Sequence, residues 1–399
     1  MNSGSKFSFL PGVSALAFAT ALWLIAIPQA HAQAFNVVYS FTGSDGANPV
    51  DGFTADGAGN LYATTFNGGA YGHGVIFKIT SGQESVLYSF QGGTDGANPE
   101  GGVLLDSSGN LYGTTTAGGA HGLGTVYKVS SGGQESVLYS FAGGKDGATP
   151  KSNLVIDSSG DIWGTTTAGG VHDQGTIFRL WLNKRKNLWY EQRVHVFGDG
   201  KDGQVPVAGV FLDAAGNAYG TTSGGGEYGY GTVYELERPH FRETILWSFK
   251  DEADGAVPYA GVIADSSGNL YGAATEGGEG GQAGGGTIFE LAKQSTGFTF
   301  SVIYPYPGWG ISGSFRSLLM DSSGNLYGST HCDGNNDSGT VYELSPSGTS
   351  WNFNQLYLFS GGSDGQYSFS NPVLVNGVLY GTTQYGGANG AGVVWSVTP

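Results

Sequence analysis

The chain has 399 residues, with 32 Asp and Glu against 16 Lys and Arg, 73 Gly and a single Cys. A formal charge of −16 argues against nucleic acid or an anionic membrane surface as partner, since both require basic patches. With Cys332 as the only Cys, an intramolecular disulfide is excluded, so packing and closure must supply the stability.

In chain order, the first element is a targeting segment over residues 1–32. Lys6 supplies a short basic start, Phe7 to Pro28 is mostly apolar, and Ala30-His31-Ala32 is a small-x-small cleavage site. Cleavage after Ala32 is expected, leaving residues 33–399 as one domain with 15 − 32 = −17 charges. The apolar core approaches transmembrane length, so an uncleaved anchor is the alternative. No Cys follows it to carry a lipid, and no later apolar run is long enough to span a bilayer.

From there the chain says one phrase seven times. The aromatic residue of "LYGTT" and its variants recurs at Tyr62, Tyr112, Trp163, Tyr219, Tyr271, Tyr327 and Tyr380, 50 to 56 residues apart. Each copy holds four short runs of strand character. In the second they are "GVLLD" from Gly102, "NLYGTT" from Asn110, "GTVYKV" from Gly124 and "ESVLYSF" from Glu135. "DSSGN" and "SSGGQ" are the hairpin turns between them, rich in residues that cap turns and accept positive φ. Four antiparallel strands per repeat of about fifty residues predict a seven-bladed all-β propeller. The aromatic residues of the third and fourth strands are the expected packing between blades.

The two ends complete one another. "FNVVYSF" (Phe35 to Phe41) is a fourth strand without its first three, and the chain closes on a first, second and third strand without a fourth. The N-terminal strand is therefore expected to complete the last blade near Gly392 to Val397, removing the open edges of the ring.

The phrase "DSSGNLYGTT…GG…GTVYKV…VLYSF" resembles the bacterial GloVer tandem repeat of choice-of-anchor tandem repeat proteins, over the whole of residues 33–399. That resemblance implies an exported propeller, commonly ending in a sorting or anchoring tail, and carries no established catalytic residues. Pro399 follows directly on the last strand, so the tail of that pattern is missing from this sequence.

Catalytic vocabulary is sparse. The sequence has no H-E-x-x-H, C-x-x-C, G-x-S-x-G, P-loop or dinucleotide fingerprint. The loops from second to third strand and from fourth strand to the next first strand open on one face, where the sequence varies and a ligand site is expected. Asp45, Asp95, Asp146, Asp202, Asp254 and Asp364 recur there in "DGA-P" and read as turn-forming Asp rather than a cation ring. His73, His121 and His172 read as solvated loop residues, with no fixed spacing for a metal. Arg179 to Phe197 reads as a lengthened hairpin with a basic tip at Lys184, Arg185 and Lys186.

Blade 6 departs most from the phrase. It reads "YPYPGWGISG" from Tyr304 where others read "DGANP", and "HCDGNNDSG" from His331 in its second loop. Tyr306 and Trp309 are the expected stacking rings, with His331, Asp333, Asn335, Asn336 and Asp337 as polar partners for a sugar. Asp333, Asn335 and Asp337 also have the alternate spacing of a calcium loop, but the Gly after the third ligand is missing and Leu344 stands where the closing Glu belongs. No cofactor or metal is otherwise expected.

The functional expectation is an exported, monomeric, non-enzymatic propeller, periplasmic or extracellular, that binds a glycan or a cell-envelope protein. One alternative is a polysaccharide hydrolase or lyase using loop carboxylates such as Asp173, Glu227, Glu276, Glu279, Asp333 and Asp337. The other is a spacer with no ligand.

Overall fold

A computed structural model describes residues 1, 34–278, 284–306, 317–333 and 337–399. The chain divides into Met1–Ala32 and Gln33–Pro399, and the second unit carries the fold. The targeting segment expected over 1–32 lies almost wholly outside the described residues, as do Glu279, Trp309, Asn335 and Asn336.

Seven four-stranded antiparallel sheets follow one another, and together they make a seven-bladed β-propeller. Blade 2 shows the pattern with strands Leu104–Leu105, Leu111–Thr115, Thr125–Val129 and Glu135–Ser140. The first strand is shorter than its phrase suggests. In blade 2 it follows Gly101 and Gly102, which favour neither strand nor side-chain packing. The turn before the second strand is as expected. Asp106 accepts from the backbone N–H of Ser108 and Asn110 at 2.9 and 2.8 Å, and from the Tyr112 hydroxyl at 3.1 Å.

Closure is also as expected. Phe35–Ser40 pairs antiparallel with Val393–Val397, with Phe35 opposite Val397, and so forms the outer strand of the last blade. The core lies between blades. Phe41, Phe90, Phe141, Phe197, Phe249 and Phe359 are all fully buried, each ending a fourth strand.

The two Thr of "GTT" have separate tasks. The first stitches its blade to the next near the axis: Thr64 donates to Gly101 O, Thr114 to Ser152 O, Thr165 to Ala208 O and Thr221 to Ala260 O, at 2.7–3.2 Å. Ser329 and Thr382 continue the ring to Ser370 O and Asp51 O. Blade 5 has Ala273 at this place and no hydroxyl to offer. The second Thr holds the following loop, as where Thr115 donates to Ala117 O at 2.9 Å. The Gly before them leaves room for a neighbouring ring: a Cβ on Gly113 would lie 2.3 Å from the Tyr127 hydroxyl.

Candidate binding site at the propeller axis

The described segments that lead into the first strands line an axial channel. A chamber of about 100 Å³ there is lined by residues that include Asp51, Asn153, Gly209, Tyr259, Gly261, Ser317 and Asn371, with Gly52 and Gly102 packed beside Asn371 and Asn153. Asp51 borders that chamber, is 1% exposed, and receives the backbone N–H of Gly52 and Gly102 and the Asn371 amide. Those bonds tie blades 1, 2 and 7 together, which gives this carboxylate a structural task.

The layer outside it is the mouth. Its residues each follow the proline position of the repeat: Val50, Glu100, Lys151, Val207, Tyr259 and Phe369. A cavity of about 370 Å³ is lined by Glu100, Lys151, Thr167, Val205, Val207, Tyr259 and Phe369. A second, of about 190 Å³, shares Glu100 and Phe369 with it and adds Val50, Phe66 and Gln384. Lys151 and Glu100 form an ion pair at 3.1 Å with side chains 33% and 19% exposed. Burial, with Glu276 and Glu100 nearby, raises the Tyr259 hydroxyl above its ordinary value, so it remains a neutral donor. Among its described residues, the mouth therefore offers the rings of Tyr259 and Phe369, valine side chains and a self-neutralised pair of charges, which suits a ligand that is part apolar and part hydroxylated.

The blade 6 residues divide on inspection. Tyr306 is 2% exposed and sits in the core beside Tyr342 and Leu344, so the reading of it as a surface stacking ring is corrected. Its backbone N–H donates to Gly286 O as Phe90 does to Gly74 O, which places it at the buried "F" of "YSF". His331 is the part of the blade 6 reading that reaches the axis. Its ring lies 4.3 Å from both Tyr367 and Phe369, and burial pushes its imidazole down to about 4. Asp333 accepts from the hydroxyls of Thr330 and Thr340, so both its oxygens serve the loop. Burial raises its carboxyl, partly offset by those two hydroxyls. Asp337 is exposed with φ of 49°. Asp333 lies near enough to act on the buried Tyr306, burial and then Asp337 and Asp333 raise the Cys332 thiol, and Trp309, Asn335 and Asn336 of the same reading lie outside the described residues.

Other loop readings resolve cleanly. The six turn Asp accept backbone N–H groups across their turns, as Asp95 does from Gln91 at 2.8 Å. His121 and His172 are exposed and His73 half-exposed, and no grouping of these three is seen among the described residues. The long hairpin is Thr176–Asn183 with Leu188–Val196, with Trp181 stacked on Tyr190 at 5.0 Å. The carboxylates of the enzyme alternative fall on four blades, with Asp333 and Asp337 sharing the blade 6 loop and Glu279 outside the described residues. Asp173 accepts from Gly169 N at 2.8 Å, and Glu227 pairs with Lys201 at 3.1 Å. Glu276 is raised by burial and then by Asp251.

The mouth residues were missed in the sequence although a signal was present. The column after the repeat proline changes from Val to Glu, Lys, Val and Tyr, next to a proline that is kept in those five blades.

The Gloeobacter/Verrucomicrobia repeat matches residues 27–212 and 208–399, and the chain belongs to that family. No curated protein matches the sequence. Among solved structures, it is similar to the extracellular domain of a candidate one-component system from B. thetaiotaomicron, at 9% identity and a TM-score of 0.59, over 90% of this chain and 39% of that one. The chain thus spans well under half the length of that neighbour. It is also similar to a candidate 6-phosphogluconolactonase from Bacteroides uniformis, at 12% identity and a TM-score of 0.52, over 83% of this chain and 89% of that one. At these identities the likeness is one of fold.

Proposed function

We propose that this member of the Gloeobacter/Verrucomicrobia repeat family is an exported binding module that takes a glycan end in the mouth of its axial channel. The observation that carries the reading is the asymmetry of that mouth. The repeat supplies the same strands and turns around the ring, yet the residues that face the axis differ from blade to blade, and those after the proline position are Val50, Glu100, Lys151, Val207, Tyr259 and Phe369 among the described residues. A folding role alone gives no reason for these differences. Tyr259 and Phe369 offer faces for the apolar side of a sugar ring, and the Glu100–Lys151 pair can trade part of its contact for hydroxyl groups.

A binding role is favoured over hydrolysis by the lining of the mouth. Glu100 is the carboxylate among its described residues and is already paired with Lys151, whereas glycoside hydrolysis needs two carboxyls flanking the bond. Export rests on Ala30-His31-Ala32 and the apolar run before it. The first solved neighbour is itself described as an extracellular domain. No helix among the described residues is long and apolar enough to cross a membrane.

The test is a glycan-array screen of protein recovered outside the cytoplasm, followed by titration of the best ligand against the parent and Tyr259→Ala. Tyr259→Ala should weaken binding by about 1–3 kcal/mol, the size of an aromatic anchor, with an unchanged melting temperature. Parent-like affinity in that variant, or failure of every glycan to bind, would overturn the reading. N-terminal sequencing of the same material should begin at or near Gln33; full-length chain held in the membrane fraction would contradict export.

A further inference from the structure

One corner between blades recurs around the ring with three parts. They are an aromatic residue late in the fourth strand, the turn Asp that follows it, and a residue of the next blade's fourth strand. In five corners the aromatic side chain donates to the Asp: Tyr39 to Asp45, Tyr88 to Asp95, Tyr139 to Asp146, Trp247 to Asp254 and Tyr357 to Asp364, at 2.6–3.1 Å. In three corners the third part is a Phe stacked on that ring, as Phe300 is on Trp247 at 4.1 Å and Phe353 on Tyr304 at 4.5 Å. In the others it is a Glu: Glu84, Glu135, Glu191 or Glu243, each opposite the same inner position of the neighbouring strand.

The corner between blades 3 and 4 alone replaces the aromatic donor with a histidine. His195, Asp202 and Glu243 meet there with side chains 18%, 9% and 13% exposed. His195 Nε2 lies 3.5 Å from Asp202 Oδ2 and 3.6 Å from Glu243 Oε1, and the three ligand atoms are all within 4.8 Å of one another. These separations exceed an ordinary N–H···O bond. Both His195 Nε2 and Glu243 Oε1 are buried without a hydrogen-bond partner. Two ligands held tetrahedrally at about 2.0–2.1 Å from zinc stand about 3.3–3.4 Å apart, close to what is seen here.

We propose that His195, Asp202 and Glu243 form a site for a divalent transition-metal ion, best matched by zinc, that clamps blade 3 to blade 4. The geometry around the three supports it. Asp202 commits its other oxygen, Oδ1, to the backbone N–H of Gly198 and Gly203 at 3.0 and 2.8 Å, which leaves Oδ2 turned toward the histidine. Phe197 packs edge-on against the imidazole at 4.6 Å and fixes its plane. Glu243 is held by its register opposite Leu236 on the adjoining strand. An ion of two positive charges would neutralise the two carboxylates together. One His with two carboxylates leaves a fourth position for water.

The test uses untagged full-chain protein, stripped with chelator and dialysed, then titrated calorimetrically with zinc and separately with cobalt. One zinc per chain should bind, the melting temperature should rise with free zinc, and cobalt should give visible absorption typical of a tetrahedral site. His195→Tyr installs the phenol found in the corresponding corners of other blades, so it should fold. It should lose the stoichiometric uptake and the zinc-dependent rise in melting temperature. Glu243→Gln should weaken uptake at least tenfold. Absence of one-to-one zinc binding in the parent would overturn the proposal. So would uptake unchanged in His195→Tyr, which would assign the metal to exposed loop histidines such as His121 and His172.

Discussion

Phe35 lies flat against Tyr357, with ring centroids 3.5 Å apart and planes within 5° of parallel. The first belongs to the first strand of the propeller and the second to the outer strand of blade 6, so the pair spans the seam of the ring. The same contact is made elsewhere by Phe300 on Trp247 and Phe353 on Tyr304, between blades joined by continuous chain. The seam is thus packed like any other interface. Phe35→Ala should cost about 2–3 kcal/mol, combining lost burial with lost ring pairing. Deleting residues 33–42 should cost far more, since an edge and an interface are exposed together. Thermal melts decide this, and a truncated chain that melts like the parent would refute closure.

The Glu corners predict a dependence on pH. Glu84 faces Tyr39 and Asp45, Glu135 faces Tyr88 and Asp95, and Glu191 faces Tyr139, Asp146 and Arg193. Burial first, then the neighbouring Asp, pushes each carboxyl from 4.5 to about 7. The folded chain therefore holds these protons more tightly than the unfolded chain. Their contribution is fully present below about pH 4.5 and is lost as pH rises to about 7. Asp106 works in the opposite sense: burial pushes it up, but bonds from Asn110, Ser108 and Tyr112 outweigh this and hold it below 3.8. Its contribution is lost in stronger acid. With chelator present, the melting temperature should be highest near pH 5 and fall toward pH 8. Glu135→Gln should flatten that fall, and a melting temperature that rises from pH 5 to 8 would contradict the assignment.

Tyr306 predicts a folding defect rather than a binding defect. It is buried against Tyr342 and Tyr304, with ring centroids 5.8 and 5.3 Å away. Tyr306→Ala should destabilise by about 3–5 kcal/mol, as for other large aromatic residues truncated in a core. Tyr306→Phe should be tolerated, because Phe occupies this place in the other blades. A stable Tyr306→Ala protein that had lost only its ligand would restore the surface reading.

Much of this fold is written in the repeat. The period, the four strand phrases, the Asp-led turns and the split last blade are local or near-local patterns, and each has one physical reading. The errors arise where alignment within the repeat slips. "IYPY" before Pro307 is the "LYSF" of other blades with Tyr306 as its buried ring, so reading it as loop shifts a core residue onto the surface. The axial mouth is hidden for a different reason. Glu100, Lys151, Tyr259 and Phe369 are spread over most of the chain, and only ring closure makes neighbours of them. Their variation reads as drift until the column is known to face a channel. His195 was similarly masked, because its partners come from a turn and from the next blade.

The most direct measurement is a crystal structure of the protein with its best glycan bound, at a concentration near the measured affinity. The ligand should lie in the axial mouth, with a sugar face against Tyr259 or Phe369 and hydroxyls reaching Glu100 and Lys151. Density for the ligand in an outer groove between blades or on the blade 6 loops, with the mouth holding only solvent, would contradict the account.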